Sequence, residues 1–181
     1  MRRARSRSRL LVLVLVLVLA GGACSDDGDG TTVASSGEEI AFLQGMYAHH
    51  GQAVQLGLHT ARNGSNETVR SLALEIAISQ AREQGEIQAF LLDREATVDP
   101  SAHGDAAGMI AAEDLAAALG LEGTDLDERF VALMIGHHEG AVAMADEALG
   151  GDELSEPVRD LAARMASDQE REITELELLR G

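Results

Sequence analysis

A repeated segment constrains this chain more than any other feature of its sequence. Phe42-Leu-Gln-Gly-Met46-Tyr-Ala-His49-His50-Gly-Gln-Ala53-Val54 returns as Phe130-Val-Ala-Leu-Met134-Ile-Gly-His137-His138-Glu-Gly-Ala141-Val142. A second element follows each copy: Leu72, Ile76, Gln80 and Glu83 recur in spacing as Leu161, Met165, Gln169 and Glu172. A self-match of this length reports duplication of one supersecondary unit, so the two copies must pack on each other.

Each unit reads as a helical hairpin. The first helix is expected over about Glu38 to Arg62, stopped by Asn63-Gly64, a C-terminal signal. Ser65 or Asn66 caps the next helix, which carries on to about Glu95. The second unit opens near Asp125 and runs to Leu149, where Gly150-Gly151 ends it. Its partner helix starts near Ser155, with Glu156-Pro157 suited to a first turn, and reaches the C-terminus. Between the units Val98 to Gly104 reads as loop, and Ala106 to Leu119 as a shorter Ala-rich helix crossing one end. Period-2 alternation is missing, so the expected fold is all-α: a four-helix bundle of two duplicated hairpins with a short connecting helix.

At about 100° per residue, His49 and His50 straddle the apolar arc of Phe42, Leu43, Met46, Ala53, Val54 and Leu56. His137 and His138 do the same among Phe130, Val131, Met134, Ala141, Val142 and Met144. On the partner helices Glu83 and Gln80 fall within the stripe of Leu72, Ile76, Ile87 and Leu91. Glu172 and Gln169 repeat that placement beside Met165, Leu176 and Leu179. A carboxylate inside an apolar stripe is costly unless paired or metal-bound. Counting from each hairpin turn leaves a stagger between histidines and acids on the order of 5 Å, so both sets can meet mid-bundle.

Imidazole and carboxylate are ligands for copper, zinc, iron or manganese, and thioether shifts the preference toward Cu(I). Met46 and Met134 lie one turn before the histidines, which makes copper the leading metal. The candidate ligands are Met46, His49, His50, Glu83, Met134, His137, His138 and Glu172, with Gln80 and Gln169 orienting them. His103 and Met109 in the connector are possible additions, and His59, without a repeat mate, reads as surface. Against this stands a structural His–Glu network that holds the bundle together without metal. Met in a helical core is ordinary filler and carries little by itself. The acids Asp125, Asp127 and Glu128 read as solvated or helix-start charges.

The first 37 residues read differently. Arg2, Arg3, Arg5, Arg7 and Arg9 precede the apolar run Leu10–Ala20. About 11 residues is short of the roughly 20 a spanning helix needs, but suits a secretory signal peptide over 1–23. Gly21-Gly22-Ala23 then leads to Cys24, the one cysteine of the chain. That placement resembles the lipobox of bacterial lipoproteins, although Gly21 stands where a larger aliphatic is usual. The expectation is an exported protein anchored to the membrane by lipidated Cys24, the alternative being cleavage after Ala23 and release. Residues 24–37 read as a flexible acidic tether before a domain over 38–181.

Charge narrows the partners. The chain holds 14 Lys+Arg against 31 Asp+Glu, a net charge of -17. Five of the basic residues precede Leu10, so the remainder carries nine against 31, about -22. Nucleic acid is a disfavoured partner and cations are favoured ones. No protein partner is indicated.

At its motifs the chain resembles the bacterial exported proteins known as domain of unknown function 305. The resemblance rests on Met46-x-x-His49-His50, on Asp127 through Phe130, Met134-Ile135-x-His137-His138-x-Gly140-Ala141-Val142-x-Met144-Ala145, and on Gln169-x-x-Glu172-Ile173. It covers about residues 38 to 180, and departs at Leu56-Gly57, where Met-Ala is typical. It implies a ferritin-like helical fold and copper handling outside the cytoplasm. It establishes no reaction.

Three functions compete at this point. One is an extracytoplasmic copper buffer or chaperone. A second is a ferritin-like di-metal oxidase, against which the scarcity of in-stripe carboxylates counts. The third is a metal-free structural or interaction module of the cell envelope. With no nucleophile motif, phosphate loop or nucleotide fingerprint, the reading leans away from an enzyme.

Overall fold

A computed structural model of the chain describes residues 37–99, 101 and 106–180. The expected leader, Cys24, the tether up to residue 36, and His103 lie outside the described residues, while Gly37, expected to end the tether, opens the first helix. The described residues form α1 (Gly37–Asn63), α2 (Glu67–Asp93), α3 (Ala112–Leu119), α4 (Gly123–Gly150) and α5 (Glu156–Glu177), with no strand among them. None of these helices is long and apolar enough to cross a membrane.

Local signals set the boundaries. Asn66 caps α2, its side chain accepting from Thr68 N at 2.9 Å and Val69 N at 3.3 Å. α1 stops at Asn63, and Gly64 has no room for a side chain against Asp127 and the Thr60 carbonyl. Pro157 stands in the first turn of α5, where its missing N–H costs nothing.

α1 and α2 form one hairpin, α4 and α5 the other, and α1 packs against α4 between them. The Leu56-Gly57 departure acquires a reason here: a Cβ on Gly57 would stand 2.7 Å from the Ala73 carbonyl oxygen, so glycine permits the close α1–α2 approach. The connecting helix is shorter than expected. Residues 106–111 instead form an irregular strap across α1 and α4, because Gln52 takes both polar groups of Ile110: its Nε2 donates to the carbonyl at 2.9 Å and its Oε1 accepts from the N–H at 2.8 Å. α3 then packs on α1 and α4.

The apolar core is divided in two. One cluster holds Leu56, Leu72, Ile76, Leu126, Phe130, Met134 and Leu176. The other holds Phe42, Leu43, Met46, Ile87, Leu91, Leu161 and Met165. Every long helix passes from one cluster to the other. Burying each large side chain contributes roughly 1.5–3 kcal/mol. What lies between the clusters is polar.

Candidate functional site

The dividing layer consists of His49, His50, Gln80, Glu83, His137, His138, Gln169 and Glu172, none more than 4% exposed. The helical phase of the duplicated sequence puts one His-His pair on each of α1 and α4 and one Gln/Glu pair on each of α2 and α5. Burial of so much polarity is tolerable only if the groups bond one another.

They do so pairwise within each hairpin. His50 Nε2 donates to Glu83 Oε2 at 2.7 Å, and His138 Nε2 donates to Glu172 Oε2 at 2.8 Å. The first histidine of each motif takes a main-chain acceptor instead. His49 Nε2 donates to the Ala107 carbonyl in the strap at 3.1 Å, and His137 Nε2 donates to the His49 carbonyl at 3.1 Å. His49 and His137 stack, their ring centroids 3.8 Å apart with planes inclined by 37°.

These bonds fix the tautomers. A carbonyl or carboxylate oxygen only accepts, so each Nε2 carries a hydrogen, and Nδ1 is the nitrogen with the lone pair whenever a ring is neutral. Burial, followed by the neighbouring His50, pushes His49 down to about 3, with the Ala107 bond opposing. Burial, then His49 and the other histidines, holds His137 well below its ordinary value. Both rings are therefore neutral at physiological pH. Nδ1 of all four histidines is buried without a hydrogen-bond partner.

Gln80 reaches across to the other hairpin, its Nε2 3.4 Å from His138 Nε2. Gln169 hydrogen-bonds through neither side-chain atom. Met46 and Met134 do not share a compartment: Met46 packs in the second apolar cluster and Met134 in the first.

The donor chemistry fits a transition metal better than the donor geometry does. A ligating imidazole characteristically donates its other N–H to a carboxylate or carbonyl, and all four rings here are held in that way. Yet among the described residues no three His, Cys, Asp or Glu side chains converge as a metal-holding group. Two imidazoles on one tetrahedral ion have centroids about 5 Å apart. The stacked pair is closer than that, so His49 and His137 cannot both bind one ion without turning. The His137 and His138 centroids, at 6.0 Å, lie on the wider side.

Beyond the expected residues, two buried acids tie the hairpins together. Asp127 Oδ2 in α4 accepts from Ser65 N at 3.0 Å, Ser65 Oγ at 2.6 Å and Asn66 N at 2.8 Å, securing the entry to α2. The reading of Asp127 as a solvated charge is thus corrected. Glu39 in α1 does the same at the other end, accepting from Ser155 N at the start of α5 and from Arg94. Burial would raise the Glu39 pKa, but the bonds from Ser155 and Arg94 outweigh it and hold the carboxyl below its ordinary value. Each acid stands three residues before the phenylalanine of its repeat, so the duplication itself carried the signal.

His59 also departs from expectation. It is half-buried, and its Nε2 donates to the Leu121 carbonyl at 3.0 Å. Met109 lies in the strap and, with His137, Gly108 and Gly136, lines an open hollow of about 350 Å³.

Taken together, fold and layer define a duplicated all-α bundle with a buried imidazole–carboxylate centre. The chain belongs to the family described as domain of unknown function 305, whose model matches residues 39–180. It is similar to the crystal structure of a fragment of this family from Deinococcus radiodurans, at 31% identity and a TM-score of 0.74 over 81% of this chain and 97% of that one. It is also similar to a protein of the family from Streptomyces coelicolor described as a candidate secreted protein. There identity is 26% and TM-score 0.71, over 78% of this chain and 91% of that one. No curated protein matches the chain.

Proposed function

We propose that this protein works outside the cytoplasm as a membrane-tethered binding protein for a transition metal, copper ahead of zinc, iron or manganese. The observation that carries the reading is the set of four buried, partnerless Nδ1 atoms on His49, His50, His137 and His138. A ring nitrogen sealed from water without a partner is costly, and a metal ion bound there removes that cost. Glu83 and Glu172 act as the groups that orient His50 and His138 and supply negative charge to the layer. Met46 and Met134, one turn before each motif, are the thioethers that would favour Cu(I).

The metal is cargo in this reading. The protein holds it away from water and adventitious reductants, and no chemical turnover is assigned. The compact resting layer requires the stacked imidazoles to turn as the ion is taken up. Export is supported by the leader-like first residues and by the Streptomyces relative described as a candidate secreted protein. The tether is lipidated Cys24.

A second reading has its own support. Every Nε2 in the layer is satisfied within the chain and no three-donor group is formed, as in a metal-free His–Glu lock between helices.

Titration of the exported protein with Cu(I) and Cu(II) against a chromophoric competitor separates the two. Stoichiometric binding by the parent, lost when His49, His50, His137 and His138 are all replaced by Gln in a protein that keeps its helical circular dichroism, supports the metal reading. A folded parent that leaves all copper with the competitor refutes it and leaves the lock.

A further inference from the structure

The outward face of α2 is apolar although none of the described residues covers it. Leu74, Ile78 and Leu92 are 43%, 61% and 65% exposed. Ala81, Gly85 and Gln88 lie exposed between them. The six positions alternate in steps of four and three, the spacing of a coiled-coil seam. Leu72, Ile76, Glu83, Ile87 and Leu91 occupy the opposite side of the same helix and fill the core.

The duplicated helix provides an internal control. α5 performs the same structural task, yet the positions matching Leu74, Ile78, Ala81, Gly85 and Gln88 are Ala163, Ser167, Glu170, Thr174 and Glu177. The fold therefore does not require an apolar face there. Gly85 sharpens the point, because a Cβ built on it meets nothing within 4 Å. A mid-helix glycine weakens a helix relative to alanine, and no contact among the described residues calls for this one.

We propose that this face is a self-association surface through which two copies pair, α2 against α2 and antiparallel. A two-fold axis beside Glu83 makes every layer at once. Leu74 meets the partner's Leu92, Ile78 meets the partner's Gln88, and Ala81 meets the partner's Gly85. Such a pairing is isologous, with the same patch used on both copies. The small residues at the centre let the backbones approach, and the large ones seal the ends.

Charge agrees with this choice. A chain of net charge -17 repels its own kind over most approaches. The six seam positions carry no charged side chain, so two copies can meet there without direct like-charge contact, and on the flank Glu86 is already held by Arg164 of its own chain at 2.8 Å. The seam from Leu74 to Leu92 is about 27 Å long. Contact along one helix of that length falls at the low end of stable interfaces, on the order of 1,200 Å² in total. An interface of that size suits a reversible dimer.

Sedimentation of the exported protein over a concentration series tests this. The parent is expected to dimerise at tens of micromolar. Ile78→Glu and Gly85→Glu should each weaken association more than about tenfold, with the helical circular dichroism retained because both side chains face solvent. Orientation is read in a Cys24→Ser background with a short bis-maleimide. A mixture of Leu74→Cys and Leu92→Cys proteins should cross-link, and neither protein alone should do so. A parent that stays monomeric, a dimer indifferent to Ile78→Glu, or self-linking by Leu74→Cys overturns the proposal. So does a monomeric parent that binds phosphatidylcholine vesicles through this face, which would make the occupant a lipid surface.

Discussion

His49 and His137 stand face to face at the centre of the bundle, their rings 3.8 Å apart, and His137 Nε2 donates to the backbone carbonyl of His49. One contact thus joins the two copies of the repeat through the same residue of each. It also sets two buried imidazoles against each other, with consequences for pH.

Both rings have folded-state pKa values below the ordinary histidine value, His49 at about 3. In the unfolded chain each takes up a proton near pH 6.5, so below that pH the unfolded state binds more protons and stability falls as pH falls. The contribution is fully present above about pH 6.5 and disappears as pH drops toward the folded value. Between about pH 6.5 and 5 the loss is about 2 kcal/mol from His49 alone. Urea unfolding across this range should show the decline, and His49→Asn should flatten it. A midpoint independent of pH would contradict the assignment.

Glu172 is held by His138 with little water near, so removing the carboxylate leaves a buried Nε2–H without an acceptor. Glu172→Ala is expected to cost roughly 3 kcal/mol, and Glu172→Gln, which keeps an acceptor oxygen, clearly less. The repeat predicts the same ranking for Glu83 and His50. Chemical denaturation of the four variants gives the comparison, and equal losses for Ala and Gln would show that the hydrogen bond is not what matters.

Asp127 secures the start of α2 from the other hairpin by three bonds through one oxygen. Asp127→Ala should destabilise by roughly 2 kcal/mol. Amide exchange at Ser65 and Asn66 should accelerate while the far end of α2 is unaffected. Glu39→Ala should produce the mirror result at Ser155. Uniform acceleration over the whole chain would mean that the tie is global and not local.

Gly140 lies so close to the strap that a Cβ there would strike the Ala107 carbonyl and Gly108. Gly140→Ala is expected to lift residues 106–110 from α4 and release the His49–Ala107 bond, at a cost of about 1–3 kcal/mol. Hydrogen exchange at Ile110, whose N–H is held by Gln52, reports the loosening. Under the metal-binding proposal the same variant should load copper faster. Unchanged exchange at Ile110 would show that the strap accommodates the methyl.

Much of this arrangement was legible in the amino-acid order, because duplication and helical periodicity are local properties. The phase of His49, His50, Glu83 and their counterparts relative to the apolar residues follows from 3.6 residues per turn, whatever the helices later pack against. Caps and breakers such as Asn66, Asn63-Gly64 and Pro157 act within a few residues of themselves. The hairpins, the inward histidines and the buried acids all follow from such rules. Asp127 was harder to read, since an acid near a helix start looks solvated until the opposite hairpin covers it.

Only the tertiary structure decided which atom meets which. Phase says that a side chain points inward, but its partner depends on the stagger and spacing of helices that are distant in sequence. So Glu83 takes His50 and leaves His49 to the strap, while the two thioethers are sent to opposite ends of the core. The strap itself forms because Gln52 offers Ile110 a better pair of hydrogen bonds than another helical turn would. The sequence by itself determined a duplicated bundle with polar residues at its waist. The close approach of α1 to α4 turned that waist into a stack of neutral imidazoles with their Nδ1 atoms bare.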